Sequence, residues 1–265
     1  MIYKKGLIYL YNHVCNKCKK EFSSKKKTQQ YCSKSCANSV NSSKRKIEDE
    51  TIYESGLNKI NSYILGIIYS DGCISYDKHT KRYRITIAMN DLDVMEKIHK
   101  LMTPNKKLYS YNHSRGTSTI YSIISTNKSD IEFLFKLGVT ENKSLIIDYP
   151  NIPKNFDSHF IRGYFDGDGS IYKSTTNTYY NQIKKSYDYY YVRFTTGSKG
   201  FALSLSNKLN MYGIQSNIYK DTRINNKSFY IAIYKKESIK KFFEFIYEDC
   251  EIFMMRKYNK FINMI

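Results

Sequence analysis

Ile64-Leu65-Gly66-Ile67-Ile68-Tyr69-Ser70-Asp71-Gly72 and Ile161-Arg162-Gly163-Tyr164-Phe165-Asp166-Gly167-Asp168-Gly169 share an interior glycine, a terminal aspartate and a closing glycine at the same spacings. Each stretch closes a helical pattern, over 61–71 in the first case and from about 158 in the second. Apolar residues wrap most of each helix, so both helices must be buried. Gly66 and Gly163 sit in helix interiors, where glycine costs about 1 kcal/mol relative to alanine. A small residue at the same point of both helices permits close backbone approach, which predicts that the two pack against each other. Gly72 and Gly169 are predicted to end the helices in a left-handed turn.

The order of elements around these stretches repeats. After Asp71, strand patterns run over 73–77 and 82–89. In the second, Tyr83, Ile85, Ile87 and Met89 alternate with Arg82, Arg84, Thr86 and Ala88. Asp91 can cap a helix with Leu92, Met95, Ile98 and Met102 on one face. Strands at 107–112 and 119–125 and a helix at 129–137, closed by Gly138, follow. The second half reads the same way, with strands near 170–174 and 187–196 and a helix at 199–211 closed by Gly213. Strands at 215–220 and 228–235 and a helix at 237–248 complete it. Two helix–strand–strand–helix–strand–strand–helix units make an α+β fold with pseudo-two-fold symmetry. The expected organisation is a cysteine-rich module over 1–37, a basic polar linker over 38–59, and repeats over 60–155 and 156–265.

Packing the two helices together brings Asp71 and Asp168 to adjacent C-termini. The negative end of a helix dipole disfavours a carboxylate there, and two carboxylates repel each other. A divalent cation relieves both penalties, and Mg²⁺ typically takes one or two carboxylates and fills its shell with water and phosphate oxygens. Aspartate before glycine also suits an ordinary turn. Two such sites at matching positions of a repeat favour the metal. The charge of the chain agrees: 43 Lys and Arg against 24 Asp and Glu leave +19 over 265 residues. A polyanion is the simplest partner for that excess. No apolar run approaches the ~18 residues of a spanning helix, and the N-terminus lacks a signal-peptide core, so neither a membrane nor secretion is expected.

With these residues in view, both stretches resemble the motif of the LAGLIDADG homing endonucleases in their single-chain, two-motif form. The resemblance extends over about 60–265. It implies two αββαββα repeats whose antiparallel sheets form a saddle on double-stranded DNA. It also implies Mg²⁺-dependent cleavage of both strands of a long asymmetric target by a monomer, encoded in an intron or free-standing mobile element. The family pattern implies Asp71 and Asp168 as metal ligands, with the Ser70 and Gly167 carbonyls as secondary candidates. It further implies Lys143, in Asn142-Lys143-Ser144, and Lys257, in Arg256-Lys257-Tyr258, as active-site lysines; either could equally be a phosphate contact or a surface group. Tyr69 stands where the second copy keeps Asp166, which suggests inequivalent half-sites. Two other functions suit the same resemblance: a DNA-binding regulator that no longer cuts, and an RNA maturase. Met1 at one end and Asn263-Met264-Ile265 at the other lack splice-junction chemistry, so an intein is not expected.

Cys15-x2-Cys18-x13-Cys32-x3-Cys36 has the paired spacing of a four-cysteine Zn²⁺ site. Zinc would replace the apolar core that so short a module cannot build. Chance clustering and redox thiols are the alternatives, and His13 could stand in for one ligand. Clustered cysteines without a secretory signal point to a reducing intracellular compartment. Lys17, Lys19, Lys20, Lys25, Lys26, Lys27 and Lys34 suggest that the module also touches DNA. On the sheets, Arg82 and Arg84 in the first repeat, and Gln182, Arg193, Thr195, Lys220 and Arg223 in the second, are the candidate DNA-contacting residues.

Overall fold

The computed structural model describes residues 10–45, 50–112, 116, 118–181, 183–222 and 228–264. The chain divides into two units, Met1–Glu48 and Asp49–Ile265. In the first, strands β1 (Tyr11–Val14) and β2 (Glu21–Ser24) form an antiparallel hairpin, and helix α1 (Lys34–Arg45) follows. Lys19 takes a positive φ of 61° in the connecting turn, and its amide donates to the Cys15 carbonyl. Cys15 and Ser24 are the two buried residues among those whose burial is described in this unit. Its described residues form no apolar core. Composition suggested a linker from residue 38, yet α1 continues to Arg45. A polar stretch free of Gly and Pro reports exposure to solvent, and a solvated helix is compatible with that.

In the second unit the first repeat consists of α2 (Lys59–Ser70), β3 (Gly72–Asp77), β4 (Arg82–Met89), α3 (Leu92–Met102), β5 (Tyr109–Asn112), β6 (Thr119–Ser125) and α4 (Lys128–Lys136). The second consists of α5 (Asp157–Asp168), β7 (Gly169–Tyr180), β8 (Ile183–Thr196), α6 (Lys199–Met211), β9 (Asn217–Lys220), β10 (Phe229–Ile233) and α7 (Lys236–Tyr247). The sheets run β3-β4-β6-β5 and β7-β8-β10-β9, antiparallel throughout and identical in order. The expected αββαββα duplication is therefore present. No helix among the described residues is long and apolar enough to cross a membrane.

Asn58 opens α2 with a reciprocal capping box, accepting from the Asn61 amide while the Asn61 side chain accepts from its own. Ile64, Leu65, Ile67 and Ile68 are wholly buried. The helix packs on α5 through the paired glycines. A Cβ on Gly66 would lie 2.6 Å from the Tyr164 amide nitrogen, and one on Gly163 would lie 3.1 Å from Gly66 Cα. Backbone touches backbone here, which only glycine allows. Gly138 and Gly213 end α4 and α6 at φ 84° and 71°, as predicted.

Four expectations need correction. Gly72 and Gly169 are not left-handed; Gly169 is extended, at φ −82° and ψ 155°. Each passes the chain directly from helix into strand, and glycine is needed for room. A Cβ would lie 2.5 Å from Ile68 Cα at Gly72, or 2.5 Å from the Phe165 carbonyl oxygen at Gly169. Asp91 precedes α3 but makes no side-chain cap, because its carboxylate is engaged elsewhere. Leu92 is exposed, and the buried face of α3 is Val94, Met95, Ile98 and Met102. Finally, β7 and β8 stay paired from Gly169 to Tyr180, well beyond the predicted 170–174. Solvent bathes both faces of that extension, so no apolar alternation marks it. An eighth helix, α8 (Met255–Ile262), follows α7 and was not foreseen.

Candidate functional site

Asp71 is the C-cap of α2 and Asp168 the last residue of α5. The glycine contact between these helices sets their ends side by side. A Cβ on Gly167 would collide with the Ser70 hydroxyl and with Asp71 Oδ2, so one helix end is nested against the other. Asp71 and Asp168 each keep solvent-exposed surface, although neighbouring atoms crowd water away from their carboxylates. Loss of water raises the Asp71 carboxyl above its ordinary range, against the opposing charges of Lys257 and Lys143. Asp168 is pushed up to about 6, by loss of water first and by the Asp71 charge second. The Tyr164 hydroxyl touches Asp168 and donates to the Thr195 carbonyl at 3.2 Å.

Two buried lysines flank the carboxylates. Lys143, on a short turn after α4, donates to the Gly72 carbonyl at 2.5 Å. Burial lowers its pKa, while Cys73, Asp168 and Asp71 oppose that shift. Lys257, on α8, donates to the carbonyls of Phe165 and Asp166, both at 2.6 Å, and of Gly167 at 3.0 Å. Burial lowers it to about 8. Lys257 thus sits on the negative end of α5, and Lys143 just beyond that of α2, on the first carbonyl of β3. Lys257 has all three N–H groups committed, and the Gly167 carbonyl already accepts one of them. The Ser70 hydroxyl turns back onto the Gly66 and Ile67 carbonyls.

Asp166, at the position of Tyr69, is buried. It accepts from the Tyr63 hydroxyl and the Met254 amide, each at 2.8 Å, and burial raises it to about 6. Tyr69 donates to the Leu137 carbonyl at 2.8 Å. These two positions tie the motif helices to the protein and do not face solvent. An open cleft of about 540 Å³ lies beside Asp71, lined also by Asn90, Asp91, Gly167, Met254 and Arg256. The sequence offers Asp91 only as a helix cap and gives Tyr164, inside the second motif, no role of its own. Tyr164 lies one turn before Asp168 and Asp91 is distant in the chain, and only the fold shows that both lie beside the carboxylates.

Strand alternation places Cys73 and Ser170, the residues after Gly72 and Gly169, on the outer faces of the sheets. Arg82, Arg84 and Thr86 share that face in the first repeat through their register with Asp77, Ser75 and Cys73. Tyr109 and Tyr111 on β5 share it too, both exposed. Arg84 donates to the Ser75 hydroxyl at 3.1 Å and lies 3.9 Å from Asp77. In the second repeat Arg193 and Thr195 face the same way, across from Ser170 and Tyr230. The Arg193 guanidinium lies over the Tyr230 ring at 3.8 Å and 4.0 Å from Asp221. Lys220 is exposed on β9 with the alternation of Ile218, hence of the opposite parity. Gln182 and Arg223 lie outside the described residues.

In the first unit the sulfurs of Cys15, Cys18, Cys32 and Cys36 all lie within 4.8 Å of one another. The Cys18–Cys32 and Cys32–Cys36 separations are 3.6 and 3.7 Å. A tetrahedron with Zn–S bonds of ~2.3 Å has edges of ~3.8 Å, so the spacing suits that ion. The backbone amides of Cys18 and Cys32 lower the Cys15 thiol, while hydrogen bonds with Cys18 and Cys15 raise Cys32 to about 12, so the cluster shares one thiolate among close thiols. His13 stacks on Phe22, with ring centroids 5.2 Å apart, and is not part of the cluster.

Residues 155–247 match the sequence model of a family described as a LAGLIDADG-like domain, so the second repeat carries such a domain. An uncharacterized protein of Methanocaldococcus jannaschii is 24% identical over 193 residues, which are 68% of this chain and 64% of that protein. The probable translation initiation factor IF-2 of the same organism is 28% identical over 191 residues, 68% of this chain but 14% of its own length. The chain therefore spans less than two thirds of either relative. Among solved structures, the meganuclease I-SmaMI bound to uncleaveable DNA with a TTCT central four superposes with a TM-score of 0.52 at 16% identity. That match covers 78% of this chain and 89% of the other. The I-LtrWI LAGLIDADG homing endonuclease bound to target DNA gives 0.52 at 14% identity, with the same coverage. At such identities the likeness establishes the fold, that of the LAGLIDADG homing endonucleases.

Proposed function

We propose that this chain is a sequence-specific endonuclease that hydrolyses both strands of a long asymmetric DNA duplex, acting as a monomer with divalent metal. The observation that carries this reading is the pair Asp71 and Asp168, each with solvent-exposed surface at nested helix ends and each raised by its surroundings. Two carboxylates held against their own repulsion are suited to a dication, and Asp71 and Asp168 would hold it. When bound, Mg²⁺ supplies an activated water and screens the charge that develops on the phosphate. Lys143 contributes positive charge beside both carboxylates and, with one protein acceptor among the described residues, keeps N–H groups for a phosphate oxygen or a water. Lys257, its donors committed, caps α5 and acts through its charge. The Gly167 carbonyl is the weaker of the secondary ligand candidates because Lys257 occupies it; the Ser70 carbonyl keeps that role.

The duplex would lie across the outer sheet faces that begin at Cys73 and Ser170. Arg82, Arg84, Arg193 and Thr195 are the proposed contacts there; Lys220, of the opposite parity on β9, does not share that face. Cys15, Cys18, Cys32 and Cys36 would hold a structural Zn²⁺, whose module adds lysines to the footprint. The likeness to structures bound to target DNA supports the choice of partner.

Incubation with a random duplex library and Mg²⁺ tests the reading. Cleaved products should converge on one site, and Asp71→Asn or Asp168→Asn should lose most cutting while still binding that site. Retention of duplexes without strand breaks by the unaltered protein would make it a regulator. Preference for a structured intron RNA, indifferent to Asp71→Asn, would make it a maturase. Full double-strand cleavage by the double variant would refute the assignment of the two acids.

A further inference from the structure

Resting on the nuclease reading, the geometry points to a reciprocal clamp: each repeat positions the active-centre lysine of the other. We propose that Asp91 in the first repeat positions Lys257, and that the N-terminus of α6 in the second repeat, through Asp148, positions Lys143.

The first arm of the clamp is formed by α8. Arg256 precedes Lys257 and makes a two-pronged contact with Asp91, Nε to Oδ1 at 2.9 Å and Nη2 to Oδ2 at 3.1 Å. The Met255 amide donates to Asp93 Oδ2 at 3.1 Å. Asp91 and Asp93 flank the start of α3 in the opposite repeat. This explains why Asp91 leaves its own helix uncapped. Cap donors are given up for a contact that fixes the first turn of α8, and a two-pronged guanidinium–carboxylate pair sets orientation as well as distance. From that turn Lys257 reaches the end of α5.

The second arm has the same logic with different residues. The segment that carries Lys143 runs to Asp148 and lies against residues 197–200. A Cβ on Gly197 would meet the Ser144 carbonyl oxygen at 2.7 Å, and one on Gly200 would collide with Asp148 Oδ1. Gly200 is in the first turn of α6, where a carboxylate is favoured by the helix dipole. In both arms a carboxylate lies between the start of a repeat's second helix and the lysine-bearing segment, supplied by the helix in the first arm and by the segment in the second. A solitary repeat would lack either arm. The two arms differ chemically, so the two halves of the centre can be perturbed separately.

The test is cleavage of a supercoiled plasmid carrying the selected target, with single-turnover rates followed for each strand. The unaltered protein should pass to linear product with little nicked intermediate. Asp91→Asn should bind the target as before and slow one strand roughly ten- to hundredfold, the scale of a misplaced catalytic group, so that a nicked intermediate builds up with that strand intact and its partner cut. Arg256→Ala should do the same in the same strand, and Arg256→Lys should restore part of the rate. Gly200→Ala and Asp148→Asn should slow the strand that Asp91→Asn spares, which reverses the strand bias of the nicks. A general loss of fold would slow both strands together and lower binding, which strand bias separates from positioning. If Asp91→Asn and Gly200→Ala slow both strands equally, or neither, the clamp is overturned while the nuclease reading stands. If the unaltered protein cuts no duplex, the nuclease reading falls and the clamp with it.

Discussion

Replacing Gly66 with alanine sets helix propensity against packing with opposite signs. In a free helix the substitution gains about 1 kcal/mol. Here the new Cβ would lie 2.6 Å from the Tyr164 nitrogen and closer still to the Phe160 carbonyl oxygen. Ordinary contact begins near 3.4 Å, so α2 and α5 must part by about 0.8 Å or more. The obstructing atoms are backbone and cannot rotate aside, which puts the overpacking cost at the upper end of ~1–3 kcal/mol. Net destabilisation of about 2 kcal/mol follows, or roughly 4–8 °C in Tm for a unit of this size. Urea unfolding followed by far-UV circular dichroism is the assay, since the chain has no tryptophan. Gly163→Ala should cost a similar amount, and the double variant less than the sum, because one separation accommodates both methyl groups. A gain near 1 kcal/mol for Gly66→Ala would refute backbone contact between the motif helices.

His159 donates a pH dependence to stability. Burial first, and the Arg162 charge second, lower it to about 4, and its Nδ1 accepts from Arg162 at 3.0 Å. A folded value below the ordinary ~6.5 means stability present above pH 6.5 and lost as pH falls towards 4, up to about 3 kcal/mol. His159→Gln, which can still accept from Arg162, should lose less on acidification in paired urea titrations at pH 7.5 and 4.5; an unchanged difference would refute the role. Zinc removal by chelation, or Cys32→Ser, should melt the helix signal of residues 34–45, and metal analysis should return one zinc per chain. Spectra unaffected by chelation would remove zinc from the account. Affinity for the selected duplex should fall steeply with salt, and Arg84→Ala should reduce the slope of log K against log salt by about 1 if it meets a phosphate. A flat salt dependence would count against a polyanionic partner.

Local features of the chain were readable where one-dimensional pattern and burial coincide. The duplication, the burial of both motif helices, the glycine contact and the closing turns at Gly138 and Gly213 all follow from periodicity and residue type. So does the pairing of cysteines. Other features had no such signal. The β7–β8 extension is polar on both faces, and α8 is short and lies beyond the repeat that periodicity traced. Glycine after a helix predicts a left-handed φ at Gly72 and Gly169, yet their constraint is space, which a sequence does not display.

Sequence alone determined that two aspartates end two buried helices, because helical period and glycine spacing are local properties. Only the tertiary structure decided which groups surround them. The full commitment of the Lys257 donors, the diversion of Asp91 from its helix to Arg256, and the rise of Asp168 to about 6 depend on groups distant in the chain. Hydrogen bonding and desolvation act through space over a few ångströms, and no spacing along the chain encodes which atoms will share that distance.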